Sequence, residues 1–348
     1  MFTSTLLQWF DLHQRHLPWR GETNPYKIWI SEVILQQTRV TQGSSYYHRF
    51  LEAFPTVTAL ATADESDVLK VWQGLGYYSR ARNLHSAAKT ILAEFNGIFP
   101  SNYQDIRKLK GVGNYTAAAI ASIAFHLPYP AVDGNVLRFV ARYKGIFDNI
   151  ATETTRKYIE SVCQQWISTD HPGTFNQAMM EMGATICTPQ NPNCENCPFN
   201  NHCYAFQNQQ VTQLPVKEQT LKIKNRFFHY LVFIKNNSTI IQKRTNDDIW
   251  KNLYEFPLIE TKNEHFDICN YLKINNIQIS ETPKLVWQTK HQLTHRNIFA
   301  FFYVVHPKKL PQLFENQMVI KVLDIDKFAV AKVTEKAATE IFTLTRSV

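Results

Sequence analysis

Four of the six cysteines in this 348-residue chain fall within one short stretch, where they could bind metal. The spacing is C-x6-C-x2-C-x5-C, formed by Cys187, Cys194, Cys197 and Cys203. Thiolates are soft ligands suited to iron–sulfur clusters and to zinc. Structural zinc sites usually use two close cysteine pairs separated by a longer loop, whereas this stretch has one close pair flanked by single cysteines. The pattern favours a [4Fe–4S] cluster, with zinc or four unligated thiols as the alternatives.

Two carboxylates stand in settings that suit acid–base chemistry. Glu32 lies in a predicted helix, where its neighbours three and four positions away are mostly apolar. Such a setting disfavours the charged form and raises the carboxyl pKa toward that of a general acid, although a solvated Glu at the edge of the stripe is an equal alternative. Asp133 directly precedes another predicted helix, where the commonest role of Asp is to cap the helix. Capping and catalysis are compatible, because a capping carboxylate is fixed in place and kept ionised.

A turn with the sequence Leu-Lys-Gly-Val-Gly separates two predicted helices at residues 109–113. Gly111 and Gly113 permit a tight turn and leave room for another backbone to approach. The amides at the start of the following helix would then point outward, toward a phosphate. An ordinary helix–helix turn is the alternative, and the two glycines alone favour it. Ser101 and Gln104 predict a capping box for the helix before the turn.

These candidates need a helical scaffold, and residues 1–206 have the pattern for one. Apolar residues recur there at helical spacing, between breaks at Gly, Pro, Asn and Ser. The pattern predicts helices over residues 24–42, 66–72, 79–95, 116–126, 135–143 and 154–167.

A different organisation follows. Residues 207–225 are rich in Gln and Lys and contain no aromatic residue, which predicts a linker. Residues 226–348 predict an α+β domain. Its expected elements are strands 227–234 and 239–243 joined as a hairpin at Asn236–Asn237, a strand at 298–305 and a closing helix at 334–342.

Composition limits the classes of function. A hydrophobic content of 44% and an aromatic content of 13% indicate a folded protein, and the length favours two domains. The chain contains no apolar run long enough to cross a bilayer and no signal-peptide pattern at its start, so we expect no membrane partner and a cytoplasmic location. The formal net charge is +8, and nearly all of the excess lies in residues 216–348. A basic balance favours a polyanionic partner, although only weakly.

The motifs together resemble those of the A/G-specific adenine glycosylases, the MutY family, within the endonuclease III superfamily. The resemblance is close over residues 1–205 and looser over 225–348. It is carried by residues 17–20 (Leu-Pro-Trp-Arg), 29–38, 73–83, the glycine turn, 132–135 and the four-cysteine loop. It implies an all-α helix-hairpin-helix glycosylase domain with an iron–sulfur loop, followed by an α+β MutT-like (Nudix-fold) domain.

The resemblance also implies an activity, namely an adenine-specific DNA N-glycosylase of base excision repair. Its expected partner is double-stranded DNA containing adenine opposite 8-oxoguanine or guanine, its cofactor is one [4Fe–4S] cluster, and it is expected to be a monomer. Glu32 matches the acid that protonates N7 of adenine, and Asp133 matches the carboxylate that stabilises the cationic sugar. Tyr115 and Asn135 match residues that orient the acid and the sugar site.

Further positions match residues that bind DNA in this family. Arg20 matches a residue of the base pocket, and Gln37 and Tyr77 match residues inserted into the DNA stack when the adenine is flipped out. Members that also cleave the DNA strand carry a nucleophilic lysine two residues after the second hairpin glycine, and Tyr115 occupies that position here. A phenol cannot form the required Schiff base, so we expect a monofunctional glycosylase.

The C-terminal domain is expected to recognise the base opposite the adenine and not to hydrolyse nucleotides. Residues 248–257 resemble a MutT-like signature, but no R-E-x-x-E-E run follows to bind the Mg²⁺ that nucleotide hydrolysis needs. The family's 8-oxoguanine-reading loop has a Phe-Ser-His core, to which Leu293, Thr294 and His295 correspond. The hydroxyl and the imidazole are kept, but the aromatic residue is not, and a polar surface loop is the alternative. Basic side chains around the linker could contact phosphates or only water: Lys217, Lys222, Lys224 and Arg226.

Three other functions remain as alternatives. A pyrimidine-directed endonuclease III homologue is disfavoured by Tyr115 and by the second domain. A non-catalytic iron–sulfur protein would need neither Glu32 nor Asp133. A nucleotide pyrophosphatase would need the missing acidic box.

Overall fold

The structure, a computed structural model, describes residues 1–218 and 223–344. By their internal contacts the residues form two compact units, one of Met1–Thr62 with Asn83–Thr220 and one of Ala63–Arg82 with Leu221–Val348. The second unit therefore includes a short stretch from within the predicted N-terminal domain. Part of the predicted linker, including Lys222, lies outside the described residues.

The first unit is helical. The helices up to residue 207 are α1 (Phe2–His13), α2 (Pro25–Leu35), α3 (Val40–Ala53), α4 (Val57–Thr62), α5 (Glu65–Trp72), α6 (Ser79–Glu94), α7 (Tyr103–Lys108), α8 (Asn114–Phe125), α9 (Gly134–Lys144), α10 (Glu153–Trp166), α11 (Pro172–Thr185) and α12 (Tyr204–Gln207). Of these, α5 and the start of α6 belong to the second unit. A core of the first unit lies among α1, α9, α10 and α11, around Leu6, Phe139 and Phe175.

The predicted helix over 24–42 is two helices. The side chain of Asn24 caps α2 by accepting from the amides of Tyr26 and Lys27. The helix ends at Leu35, and Gln37 adopts a φ of 58°, a left-handed conformation that an α-helix cannot continue through. The prediction was wrong because buried, mostly apolar residues lie on nearly all faces of α2. The end of the helix therefore does not appear in the sequence as a change in the spacing of apolar residues.

The glycine turn joins α7 to α8. The cap of α7 is Asn102, which accepts from the amide of Asp105 at 2.9 Å, so the predicted capping box at Ser101 is wrong by one residue. Gly111 has a φ of 81°, and a Cβ there would lie 2.7 Å from the Cβ of Asn83. Only glycine fits that position. Gly113 precedes α8 with an ordinary φ of −92°.

The second unit contains two sheets. The strands are β1 (Lys224–Phe233), β2 (Ser238–Lys243), β3 (Tyr254–Glu255), β4 (Leu258–Thr261), β5 (Lys284–Gln292), β6 (Arg296–Val305) and β7 (Gln317–Lys321), and the helices are α13 (Ile268–Ile274) and α14 (Lys332–Leu344). One sheet has the order β4-β1-β6-β5, with β1 and β6 parallel, and the other has the order β3-β2-β7. Within the described residues, no helix is both long and apolar enough to span a bilayer.

The predicted hairpin is correct in its turn and wrong in its pairing. Asn236 and Asn237 both have positive φ, and Lys235 pairs with Ser238 across them. The two strands nevertheless enter different sheets. The reason is that β4 and β6 already pair with both edges of β1, which leaves β2 to pair with β3 and β7.

Candidate active site and cysteine loop

A cavity of about 940 Å³ in the first unit contains both predicted catalytic carboxylates. Glu32 reaches it from α2, Tyr115 from α8, and Asp133 and Asn135 from the start of α9. The fold thus brings together candidates from three separate segments of the chain.

Glu32 is buried, with 8% of its surface exposed. The Tyr115 hydroxyl donates to Oε2 of Glu32 at 2.7 Å and also lies 3.1 Å from the sulfur of Met180. Burial raises the pKa of Glu32 to about 7, the charge of Asp133 adds to the rise, and the Tyr115 hydrogen bond and Arg20 oppose it. A solvated position at the edge of the helix is therefore excluded, and this carboxyl can carry a proton near neutral pH.

Asp133 is the helix cap that its sequence position predicts. Its Oδ1 accepts from the amides of Asn135 and Val136, each at 2.9 Å, and its Oδ2 accepts from the Asn135 side chain at 2.7 Å. Burial raises the pKa of Asp133, while these hydrogen bonds and the charge of Arg138 act in the opposite direction. The carboxylate is held rigidly with three donors directed at it.

The side chain of Asn135 is fixed in turn. Its Oδ1 accepts from Nη2 of Arg138 at 2.9 Å, which orients its amide nitrogen toward Asp133. Helix α11 passes close by at Gly183, where a Cβ would lie 2.6 Å from the Cβ of Asn135. A glycine at this position lets α11 complete the cavity wall.

Sequence reasoning missed the contribution of α11. Four of its residues recur at helical spacing along the cavity: Gln177, Met180, Glu181 and Ala184. Glu181 is 2% exposed and accepts from Arg15 at 2.6 Å and from Arg20 at 2.9 Å, and Gln177 accepts from Arg20 at 2.7 Å. The spacing was present in the sequence, but no helix was predicted there.

The predicted DNA-binding residues divide between the units. Arg20 and Gln37 line the cavity of the first unit. Tyr77 belongs to the second unit and has 48% of its surface exposed. In that unit its hydroxyl lies 2.5 Å from Oγ1 of Thr294, and both Thr294 and His295 are exposed.

The basic residues around the predicted linker also differ in setting. Lys217 is exposed and lines the cavity of the first unit. Lys224 is exposed. Arg226 instead forms ion pairs of 2.6 Å with both Asp248 and Glu260, so its guanidinium group already has partners within the second unit.

The four clustered cysteines line a second cavity in the first unit. Within the described residues, no three His, Cys, Asp or Glu side chains converge closely enough to hold a single metal ion. Four soft thiol ligands around one cavity fit the predicted iron–sulfur cluster.

Burial dominates the electrostatics of the cysteine loop. Burial raises the pKa of Cys197 to about 12, and the neighbouring thiolates add to the rise. Burial also raises the pKa of Cys194 and Cys203. A metal centre bound here would displace the thiol protons and supply the positive charge that stabilises the thiolates.

Three family models match the chain. They are the HhH-GPD superfamily base excision DNA repair protein over residues 30–165, the iron–sulfur binding domain of endonuclease III over 187–203, and the NUDIX domain over 229–340. The second match supports the [4Fe–4S] cluster at the four cysteines.

Individual relatives are similar over most of the chain. An adenine DNA glycosylase of Buchnera aphidicola subsp. Baizongia pistaciae is 37% identical over 86% of this chain and 84% of its own length. One of Mus musculus is 42% identical over 61% of this chain and 43% of its own length. Among solved structures, a thermostable thymine-DNA glycosylase is 28% identical, with a TM-score of 0.55 over 60% of this chain and 95% of its own.

Proposed function

The chain belongs to the adenine DNA glycosylase family, and we propose on this premise that it releases adenine from DNA at the cavity of the first unit. It is a DNA N-glycosylase of base excision repair. The observation that carries the proposal is the shared cavity of a buried Glu32, with a pKa near 7, and a rigidly held Asp133. Two carboxyl groups in different environments are the usual means of cleaving a glycosidic bond.

The reaction assigns one carboxyl group to each end of the breaking bond. Protonated Glu32 gives its proton to N7 of the flipped adenine, and the electrons of the bond to the sugar C1′ leave with the base. Ionised Asp133 stabilises the positive charge that develops on the sugar. Water then adds to C1′, losing a proton, and an abasic site remains.

Neighbouring side chains position these groups. Tyr115 holds Glu32 through its hydroxyl, and Asn135 holds Asp133 through its amide. Arg20, Gln177 and Glu181 surround the space for the base and offer donors and acceptors for its polar edge.

DNA binding uses several surfaces. The amides at the start of α8 and the open face at Gly113 suit a phosphate, since nothing lies within 4 Å of a Cβ built there. Gln37 and Tyr77 enter the stack that the flipped adenine leaves. Thr294 and His295 read the opposite base, which we propose to be 8-oxoguanine or guanine.

The proposed domains are a glycosylase domain over 1–206, a linker over 207–225 and a recognition domain over 226–348. The [4Fe–4S] cluster, when bound, ties the four-cysteine loop together. We propose a monomer that acts on chromosomal DNA in the cytoplasm, and a monofunctional enzyme, since Tyr115 stands where a lyase needs lysine.

A labelled duplex with one A:8-oxoguanine pair tests the activity. The enzyme should release adenine and leave a strand that breaks only on alkali or heat, and borohydride should trap little covalent complex. Strand cleavage without alkali would place the chain among the bifunctional enzymes.

Substitution of the carboxyl groups tests the mechanism. Glu32→Gln and Asp133→Asn should each bind the duplex yet lower the single-turnover rate by about a hundred- to ten-thousand-fold. Glu52→Gln and Asp148→Asn make the same changes at exposed positions and serve as controls. Near-normal adenine release by either site variant would remove its catalytic role.

A further inference from the structure

The four-stranded sheet β4-β1-β6-β5 has one closed face and one partly open face. Along β6, Ile298, Ala300 and Phe302 are buried, whereas Phe299 and Phe301 between them are only half-buried. Successive side chains of a strand point to opposite faces, so the half-buried residues share one face. The same alternation continues on β5, where every second residue from 288 to 292 is exposed. The sheet therefore presents part of one face to solvent.

Three phenylalanines occupy the open part of this face. Phe227 on β1 is the direct partner of Phe299 on β6, and their rings stack with centroids 5.0 Å apart and planes 14° apart. Phe301, the next residue of β6 on this face, stacks on the ring of buried His229 at 4.9 Å. The apolar cluster that includes α13 covers the face further along, at Leu231, and none of the three phenylalanines belongs to it. We call these three rings and the side chains beside them the aromatic face.

The side chains beside the three rings are polar or basic. At the paired positions of the four strands they are Asn225, Thr261, Gln288, Lys290, Gln292 and Asn297. Asn297 donates to the side chain of Asn225 at 3.0 Å, and the ammonium group of Lys290 lies 5.5 Å from the centre of the Phe299 ring. Apolar surface with a polar rim is typical of an interaction site.

The charge of this region is positive. Among the four strands, all of which lie within the described residues, the one carboxylate is that of Glu260. Glu260 pairs in register with Phe228 on the closed face and binds Arg226 at 2.6 Å. Residues 216–348 also hold nearly all of the excess positive charge of the chain. A ligand that complements the aromatic face is therefore negatively charged.

Nucleic acid combines negative charge with flat apolar groups. Every base has a π-face that stacks on aromatic side chains, and the phosphates bind to cations nearby. RNA-binding modules use aromatic side chains on the open face of a four-stranded sheet in this way. A duplex keeps its bases stacked on one another, so only unpaired bases can reach the rings. The chemistry of the aromatic face thus favours a single strand over a duplex.

The position of Lys290 agrees with such a ligand. Its ammonium group lies over the Phe299 ring, and a cation–π contact of this kind is weak at an exposed site. Stacking of a base on the ring is stronger, so a base can displace the ammonium group. Because β5 is an edge strand and Lys290 is exposed, the displaced group stays free to bind a phosphate.

We propose that the aromatic face is a binding site for the unpaired bases of single-stranded DNA, distinct from the cavity of the first unit. Phe227, Phe299 and Phe301 stack on the bases, Lys290 binds a phosphate, and the amide side chains bind base edges. The aromatic face belongs to the second unit and both catalytic carboxyl groups belong to the first. Binding at this face and release of adenine are therefore tested separately.

Binding of a single strand to the full-length holoenzyme tests the proposal. The probe is a fluorescent oligothymidylate of about ten nucleotides, which offers the cavity no adenine, and its anisotropy reports binding. Phe227→Leu combined with Phe299→Leu keeps apolar side chains but removes two rings, so the affinity should fall about five- to hundredfold. Lys290→Gln should reduce the slope of log affinity against log salt concentration by about 0.7, the effect of one lost phosphate contact.

Matched substitutions elsewhere in the second unit provide the controls. Phe314→Leu removes a ring that is 72% exposed outside this sheet, and Lys336→Gln removes an exposed cation on α14. Both variants should bind the oligothymidylate as wild type does. The double phenylalanine variant should bind a blunt duplex as wild type does, because paired bases do not reach the rings. Thermal unfolding of each variant separates lost binding from a lost fold.

Crosslinking locates the bound strand in the wild-type protein. With 5-iodouracil in place of one thymine, ultraviolet light should join the oligonucleotide to peptides that contain Phe227 or Phe299. Crosslinks confined to the first unit would overturn the proposal, as would a folded double phenylalanine variant that binds the oligothymidylate as tightly as wild type.

Two further outcomes would identify a different occupant and would also overturn the proposal. Thymidine monophosphate at the same concentration of bases should compete only weakly, and competition as strong as that of the oligothymidylate would indicate a site for free nucleotides. A wild-type dimer that the double phenylalanine variant converts to a monomer would show that the aromatic face pairs with a second copy of the chain.

Discussion

Tyr115 occupies the position at which the resemblance places the nucleophilic lysine of strand-cleaving relatives. Its phenol donates to Glu32, where a lysine would attack the sugar. Burial and the neighbouring carboxylates hold the pKa of Tyr115 well above its ordinary value, so it remains a donor at any pH at which the enzyme would work. The same side chain thereby lowers the pKa of Glu32, the proposed general acid, and carries no amine for the lyase reaction.

Removing this hydroxyl should move the pH dependence of adenine release. The proposed role of Glu32 requires its protonated form, so the rate should fall as pH rises through its pKa of about 7. The Tyr115 hydrogen bond favours the ionised form, and its loss in Tyr115→Phe should raise the pKa and shift the alkaline limb to higher pH. Single-turnover rates between about pH 5 and pH 9 would show this shift.

The control is Tyr158→Phe, which removes the hydroxyl of a side chain that is 54% exposed on α10. This variant should leave the alkaline limb of the pH–rate profile unchanged. An alkaline limb that is unchanged in Tyr115→Phe, or moved to lower pH, would contradict the assignment of Glu32 as the acid.

At the scale of single elements, most helices could be predicted from the sequence. The prediction failed at the end of α2, where buried residues on all faces give no change of pattern. The start of α9 could be predicted because Asp133 is a strong capping residue. The end of α2 could not, because its break depends on the left-handed conformation of Gln37, which no local residue type announces. The separation of β1 and β2 depends on which distant strands pair with each, and sequence periodicity carries no such information.

The glycine turn offers a test in which two similar substitutions should differ. Gly111→Ala adds a Cβ at positive φ and against Asn83, so it should lower the melting temperature and weaken DNA binding. Gly113→Ala adds a Cβ into open space at an ordinary φ, so it should leave the melting temperature nearly unchanged. It should still weaken DNA binding, because the Cβ enters the space proposed for a phosphate. Equal loss of stability in both variants would show that the turn is strained as a whole.

The cysteine loop should depend on its cluster. Cys194→Ser removes one ligand, so purified protein should lose most of its iron, and DNA binding should weaken as the loop comes apart. Cys269→Ser changes an exposed cysteine of the second unit and should keep about four irons per chain. Iron and sulfide analysis beside a DNA-binding titration would measure both effects. Stoichiometric zinc in wild-type protein would overturn the cluster.

At the scale of the whole molecule, residues 63–82 show that sequence motifs do not reveal which unit a segment packs with. The resemblance over 73–83 assigned them to the helical domain, yet by their contacts they group with the second unit. Lys70 donates to the carbonyl of Phe328 at 3.1 Å, and Gln73 accepts from the amide of Val330 at 3.2 Å. These bonds join residues more than 250 positions apart, and nothing in the sequence around either partner predicts the contact.

Two other contacts, both within the first unit, refine where the chain can be cut to test the recognition domain. The carbonyl of Leu214 accepts from Arg142 at 2.8 Å, and that of Val216 accepts from the amide of Ile150 at 3.0 Å. A cut after Glu218 keeps both bonds in the first unit, along with every proposed catalytic residue and all four ligand cysteines.

The enzyme truncated after Glu218 should still release adenine but should lose most of its preference for 8-oxoguanine over guanine. It lacks Thr294 and His295, and two lost hydrogen bonds of roughly 0.5–1.5 kcal/mol each correspond to about a ten- to hundredfold fall in the ratio of rates. Full-length Thr294→Ala with His295→Ala should reproduce most of that fall. If the double variant discriminates normally and the truncated enzyme does not, another part of the second unit reads the base. If the truncated enzyme also discriminates normally, the reading lies within residues 1–218, and residues 226–348 serve a different partner.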